Sequence, residues 1–284
     1  MLWHGGGIKG AAHIGVLKAL EEEKIKINYI SGTSSGSIVA ALYAMGYNYN
    51  DIYLLFKKYS KKIKYIDGKN IFKLIYGIII KRKIIINGLN SGEIIEEIIN
   101  EAAKEKKVEK IGDIKIPTII PSVDVHTGKI YFFVSQYRDN RNRFSDEIVY
   151  NSNINIGKAV RASCSYPLIF SPCKFNGTEL VDGGVRENIP WKGLKEIGAD
   201  KVISVVFNKE TDGKCCKNII EVVANSLDIL NHELYNYEIT GADYLLKIKT
   251  KNVSLLDMEK IDELYKLGYE ITKKNILNIK KLIN

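Results

Sequence analysis

Three short glycine-rich stretches, met in a fixed order, constrain this chain more than any other feature. Gly5-Gly6-Gly7-Ile8-Lys9-Gly10 lies near the N-terminus, Gly32-Thr33-Ser34-Ser35-Gly36 follows about one βαβ unit later, and Asp182-Gly183-Gly184 lies far downstream. The middle stretch fits G-x-S-x-G, the turn that lifts a serine hydroxyl off the end of a strand and onto a helix N-terminus. A serine held there is a candidate nucleophile. It needs a base to take its proton and donors for the oxyanion it creates. The outer two stretches can supply both.

The pattern around these motifs predicts a parallel sheet covered by helices. Residues 1–4 read as a short strand, and 8–24 as a helix with Ala12, Val16, Ala19 and Leu20 near helical spacing. Residues 27–30 read as a strand entering the serine turn, and 37–46 as an apolar helix closed by a C-cap glycine. A strand, glycine turn and helix thus occur twice in the first fifty residues, which argues for α/β architecture. Further on, the pattern gives helices over 91–104, 156–163 and 218–237. It gives strands over 116–125, 129–134, 201–207 and 244–248, and a polar loop over 136–151. The final stretch, 257–283, reads as an amphipathic helix with Ile261, Leu264, Gly268, Ile271 and Ile279 toward the core. No internal repeat or proline-rich linker interrupts the chain, so a single domain over 1–284 is expected.

Charge is concentrated in one place. The chain has 42 Lys and Arg against 33 Asp and Glu, a net charge of +9. Residues 57–83 hold ten of the basic residues and one acid, Asp67, so the remainder is neutral. Lys57, Lys58, Lys61, Lys62 and Lys64 precede an isoleucine-rich run over 71–86 that contains Phe72 and Tyr76. Cations beside aliphatic and aromatic side chains suit an anionic bilayer surface. The segment at about 51–90 is therefore expected to be a lid or membrane-docking insertion, and an ordinary solvated helix is the plainer alternative. No nucleic-acid-binding module accompanies the charge, so nucleic acid is not expected as a partner.

No apolar run approaches the roughly 20 residues of a spanning helix, and no secretory signal is visible. The four cysteines (Cys164, Cys173, Cys215 and Cys216) include a vicinal pair and no C-x-x-C spacing, which suits reduced thiols and a cytoplasmic chain, peripheral at the membrane if the basic segment docks there. The histidines His4, His13, His126 and His232 show no metal-ligand spacing, so neither a metal nor any other cofactor is expected.

Each motif also has a plain reading. Ser34 alone is a helix cap, and Asp182 alone fixes an Asp-Gly turn. The first loop also matches G-x-G-x-x-G, the dinucleotide fingerprint, but that reading wants an acid at the end of the second strand, where this chain has the serine turn. Side by side, the two loops would place the Gly6 and Gly7 N–H groups as an oxyanion hole for Ser34, with Gly5 and Gly10 shaping the loop, Lys9 adding positive charge, and the Ser35 N–H at the helix N-terminus. Gly32, Gly36, Gly183 and Gly184 would shape the two turns. The order Ser34, Asp182, His232 also permits an α/β-hydrolase triad. Non-catalytic nucleotide-binding or membrane-surface proteins remain further alternatives.

With these motifs in this order, the chain resembles the patatin-like phospholipase family. The similarity runs over roughly residues 4–205 and extends to His13-Ile14-Gly15-Val16-Leu17-Lys18-Ala19-Leu20 and to Arg161-Ala162-Ser163 with Pro167. The first strand is shorter than the family's usual one, which suggests a truncated start. The resemblance implies a three-layer α/β/α sandwich with a mostly parallel sheet and a Ser34–Asp182 dyad without histidine. It also implies lipid acyl hydrolysis through an acyl-enzyme on Ser34, with a lipid or membrane surface as substrate. An ordinary aspartate, with a pKa of about 4, is a weak base, so the dyad would need a short contact and a strong oxyanion hole.

Overall fold

A computed structural model describes residues 1–62, 67–83, 86–136, 147–208, 216, 219–250, 253 and 257–283. Lys64, Cys215 and most of the expected loop at 136–151 lie outside these residues. One sheet runs in the order β5 (Ile148–Asn151), β4 (Ile130–Val134), β3 (Thr118–Asp124), β2 (Ile30–Gly32), β1 (Leu2–Trp3), β8 (Ile203–Asn208), β9 (Tyr244–Lys249). Neighbours from β3 through β9 are parallel, β5 is parallel to β4, and β4 runs antiparallel to β3. A hairpin of β6 (Cys173–Phe175) and β7 (Thr178–Asp182) joins through β7, antiparallel to β3.

Alternation along the strands dictates the layering. Leu2, Ile119, Phe132 and Val206 point to one face, while Trp3, Ile120, Phe133 and Val205 point to the other, and all are buried. Both faces are apolar, so both must be covered. On the first face lie α7 (Trp191–Glu196) and the end of α8 (Ile219–Glu238), which contribute Leu194 and Tyr235. On the second lie α1 (Gly10–Glu22), α2 (Ser35–Ala44), α5 (Glu93–Glu105), α6 (Ile156–Ser163) and α9 (Ile261–Ile283). The expected three-layer α/β/α arrangement is the one observed.

Helices α1 and α9 cross at two glycines. A Cβ on Gly15 would stand 1.9 Å from the Tyr265 carbonyl oxygen, and one on Gly268 would stand 2.0 Å from that of Ala12. Only hydrogen fits at either position. Of the five residues expected to face the core from α9, Ile261, Leu264, Gly268 and Ile279 are buried and Ile271 is half-buried.

The structure departs from the sequence reading in two places. Strands β5, β6 and β7 and helix α7 are short elements within stretches read as loops or as unassigned. The basic segment is not one insertion. Its first part is α3 (Tyr49–Ser60), which buries Ile52 completely and ties Lys57 to Asp262 of α9 at 2.7 Å. Tyr59 also donates to Glu101 of α5 at 3.0 Å. These contacts make α3 part of the body. By contrast, α4 (Gly68–Ile79) and its end leave Phe72, Tyr76, Ile79 and Ile80 exposed.

Candidate active site

The parallel strands end at one edge, and the motifs gather there. β2 leaves the sheet through Gly32 and Thr33, and Ser34 takes φ 52° and ψ −126° before α2 begins at Ser35. A positive φ at a non-glycine residue costs about 1–3 kcal/mol and persists only where its surroundings enforce it. Close packing does so here. Cβ atoms on Gly32 and Gly36 would lie 2.2 Å from the Gly36 carbonyl oxygen and 2.4 Å from that of Trp3. Ser34 donates its N–H to Ser163 Oγ at 3.0 Å, and its carbonyl accepts from Ser37 Oγ at 2.6 Å.

Asp182 arrives from the other direction. β2 pairs with β3 only at Thr118 and Ile119, and beyond that point β7 takes over the same edge, with Asp182 opposite Ser122. The antiparallel strand thus ends where the serine turn begins. The Asp182 carboxyl is buried. Its Oδ1 accepts from Gly184 N–H at 2.8 Å, while its Oδ2 makes no hydrogen bond among the described residues. Burial pushes the Asp182 pKa up to about 7, against the opposing pull of the Ser34 hydroxyl and the Gly184 N–H. The hydroxyl therefore stands beside the carboxyl, short of a well-formed hydrogen bond, and such contacts commonly tighten when substrate binds. The weak base anticipated from an ordinary aspartate is not what the fold provides, because burial brings this carboxyl near neutrality.

The first glycine loop closes against the serine. A Cβ on Gly5 would lie 3.0 Å from Ser34 Cβ, and one on Gly10 3.2 Å from Ser35 Cβ. The amides at the two ends of the loop are already engaged. Gly5 N–H donates to Asn188 Oδ1 at 3.3 Å, and Gly10 N–H turns onto the carbonyls of Gly7 and Ile8. The Lys9 N–H is likewise spent, on the Gly6 carbonyl at 3.1 Å. Lys9 is buried. Burial lowers the pKa of His4 to about 4, with Lys9's charge adding to the fall, and burial lowers that of His13 to about 3.

His232 is elsewhere. It is exposed on α8, where it hydrogen-bonds Asn236 at 3.3 Å, and among the described contacts none links it to Asp182. A triad through His232 is not built in this fold. Sequence reasoning also missed two residues, Asn188 and Glu238. Glu238, buried at the end of α8, accepts the main-chain N–H groups of Asn188 and Ile189 at 3.1 Å each. A polar residue wedged between the Asp-Gly-Gly turn and Ile189-Pro190 was the one local cue to Asn188. Glu238 gave none, being 50 residues away.

A serine elbow, a buried carboxyl and a glycine loop meeting at one edge of an α/β/α sheet define a serine-hydrolase type of site. The family model described as patatin-like phospholipase matches residues 4–195, and the chain belongs to that family. Among curated relatives, it is 24% identical over 291 residues to lysophospholipase NTE1 of Candida albicans, covering 93% of this chain and 19% of that protein. It is 30% identical over 207 residues to the uncharacterized protein YqhO of Bacillus subtilis, covering 69% of this chain and 66% of that one. The chain thus spans about a fifth of the length of the NTE1 relative it matches. Among solved structures, VipD from Legionella pneumophila shares the fold with a TM-score of 0.52 and 16% identity, over 96% of this chain and 65% of that one.

Proposed function

We propose that this chain is a lipid acyl hydrolase of phospholipase A type in which Ser34 and Asp182 act as a dyad. The observation that carries the reading is the buried Asp182 Oδ2, free of hydrogen bonds among the described residues, beside a serine hydroxyl at the strained elbow. Ser34 Oγ attacks the ester carbonyl while its proton passes to Asp182. The oxyanion is held by the Gly6 and Gly7 amides and by Ser35 at the N-terminus of α2. Collapse breaks the bond to the leaving alcohol, which takes the proton from Asp182, and leaves the acyl group on Ser34. Water then attacks this ester, Asp182 accepts the water's proton and returns it to Ser34 Oγ, and the fatty acid departs. A carboxyl poised near pH 7 suits both directions of transfer better than one near 4.

The substrate is presented at an anionic lipid surface, with α4 as the docking element. Phe72, Tyr76, Ile79 and Ile80 are exposed on α4 and its end, beside exposed Lys73, Lys81, Arg82 and Lys83. The helix is stitched to the site edge: Asp67 N–H donates to the Leu89 carbonyl at 3.0 Å, and Leu89 N–H to that of Leu168 at 3.2 Å, three residues after Ser165, whose carbonyl holds Asp182 N–H. Among the described residues no helix is long and apolar enough to cross a membrane.

Fluorophosphonate labelling with peptide mapping tests the chemistry. Modification at Ser34, lost in Ser34→Ala, together with fatty-acid release from phospholipid or lysophospholipid vesicles, is the expected result. A wild-type rate in Ser34→Ala would reject the dyad. Vesicle sedimentation tests docking: replacing Lys73, Lys81, Arg82 and Lys83 by glutamine should weaken binding to anionic but not neutral vesicles.

A further inference from the structure

Asn188 occupies the gap between two of the three glycine motifs and is buried there. A Cβ on Gly184 would lie 3.5 Å from Asn188 Oδ1 and 3.1 Å from Asp182 Oδ1, and one on Gly5 would lie 3.3 Å from the same Asn188 oxygen. The carboxamide is used at both ends. Its Oδ1 accepts Gly5 N–H at 3.3 Å, and its Nδ2 stands 3.0 Å from His4 Nε2. The Nδ2 carries only protons, so the His4 nitrogen is the acceptor, which leaves the imidazole proton on Nδ1. Asn188 is itself held from behind. The two oxygens of the Glu238 carboxyl take the N–H groups of Asn188 and Ile189 at 3.1 Å each. Glu238 sits on α8, outside the family-matched residues 4–195.

We propose that Asn188 and Glu238 are positioning residues for the oxyanion hole. Glu238 fixes the main chain at Asn188, and the Asn188 carboxamide fixes Gly5, so that the next amides of the loop face the carbonyl adduct on Ser34. The inference rests on the reading of Ser34 as nucleophile and adds to it the device that sets the loop. An amide donor misplaced by even a fraction of an ångström loses much of its hold on an oxyanion. The proposal therefore assigns the two residues an effect on turnover rather than on ester binding.

The test uses the full chain with p-nitrophenyl butyrate, the rate of fluorophosphonate labelling and a thermal melt for each variant. Asn188→Ala should lower kcat by about 10- to 100-fold with KM changed by less than about twofold, and slow labelling in parallel. Glu238→Gln should lower kcat by about threefold or more, because an amide offers one acceptor oxygen to two N–H groups. Wild-type kcat in folded Asn188→Ala, or a loss confined to KM, overturns the proposal and leaves the function standing, provided Ser34→Ala is inactive. If Asn188→Ala does not fold, Glu238→Gln decides: unchanged kcat overturns the proposal. A wild-type rate in Ser34→Ala removes the nucleophile and the positioning proposal together.

Discussion

Ser34 and Asp182 hang from the same short stretch of chain. Ser34 N–H donates to Ser163 Oγ and Asp182 N–H to the Ser165 carbonyl, each at 3.0 Å. Two residues at the end of α6 thus set both members of the proposed dyad, although 148 positions separate them. Ser163→Ala leaves the half-buried Ser34 N–H without its acceptor, at a cost of about 1–3 kcal/mol. Chemical denaturation should detect that loss, and esterase assays should show kcat falling with KM nearly unchanged.

The positive φ of Ser34 makes a second prediction. Alanine and glycine both remove the hydroxyl, and both should abolish turnover, by about 10⁴-fold or more. They differ in backbone freedom. Ser34→Gly relieves the strained conformation that Ser34→Ala retains, so it should be the more stable of the two by about 1 kcal/mol in thermal melts.

Asp182 sets the pH profile. As a base it must be ionised, and burial places its pKa at about 7. The groups acting on it are the Ser34 hydroxyl and the Gly184 N–H, both opposing burial, while burial and then the Asp182 charge push the Cys164 thiol upward. Esterase kcat/KM should therefore rise through about pH 7 rather than pH 4. Asp182→Asn should lose about 10⁴-fold in kcat at every pH. A flat profile from pH 5 to 8 in the wild type would contradict the assignment.

Glu238 makes stability depend on pH in the opposite sense to a paired surface acid. Burial and then the Glu187 charge raise its pKa to about 8, against the pull of the Asn188 and Ile189 N–H groups and of Lys192. Between about pH 4.5 and 8 the native chain keeps a proton that the unfolded chain has released, so this group's contribution falls as pH rises. Glu238→Gln removes that dependence. The stability of the variant relative to wild type should climb across this window, by at most about 1.4 kcal/mol per pH unit. Urea titrations at several pH values measure it.

The α1–α9 crossing predicts a sharp steric effect. A methyl at Gly268 would meet the Ala12 carbonyl at 2.0 Å, so Gly268→Ala must push the helices apart. Overpacking of this kind costs about 1–3 kcal/mol or more, far more than the small helix-propensity gain from alanine. A raised melting temperature in this variant would contradict the contact.

The readability of the fold followed the range of the interactions. Helix α6 and the strands β3, β4, β8 and β9 fell where their periodicity put them, because each buries apolar side chains in a regular repeat. The serine turn and the Asp-Gly-Gly turn were legible because both are local backbone solutions that demand glycine. Strands β6 and β7 are short and carry no alternation strong enough to stand out, yet β7 delivers Asp182. Asn188, Ser163 and Glu238 hold the site through contacts across 183, 129 and 50 positions, and no pattern in one sequence encodes such distances. The basic segment was legible as charge but not as structure: Lys57 is spent on Asp262, an ion pair made by tertiary packing alone.

The two glycines that let α9 lie flat on α1 tie the last helix to the first. Helix α1 begins at Gly10, directly behind the loop proposed to hold the oxyanion. The reactive edge is thus braced by residues well past the stretch the family signature covers. A graft cut at that signature would leave the proposed anion cradle without a keel, so transplanting the proposed activity means carrying α9 along.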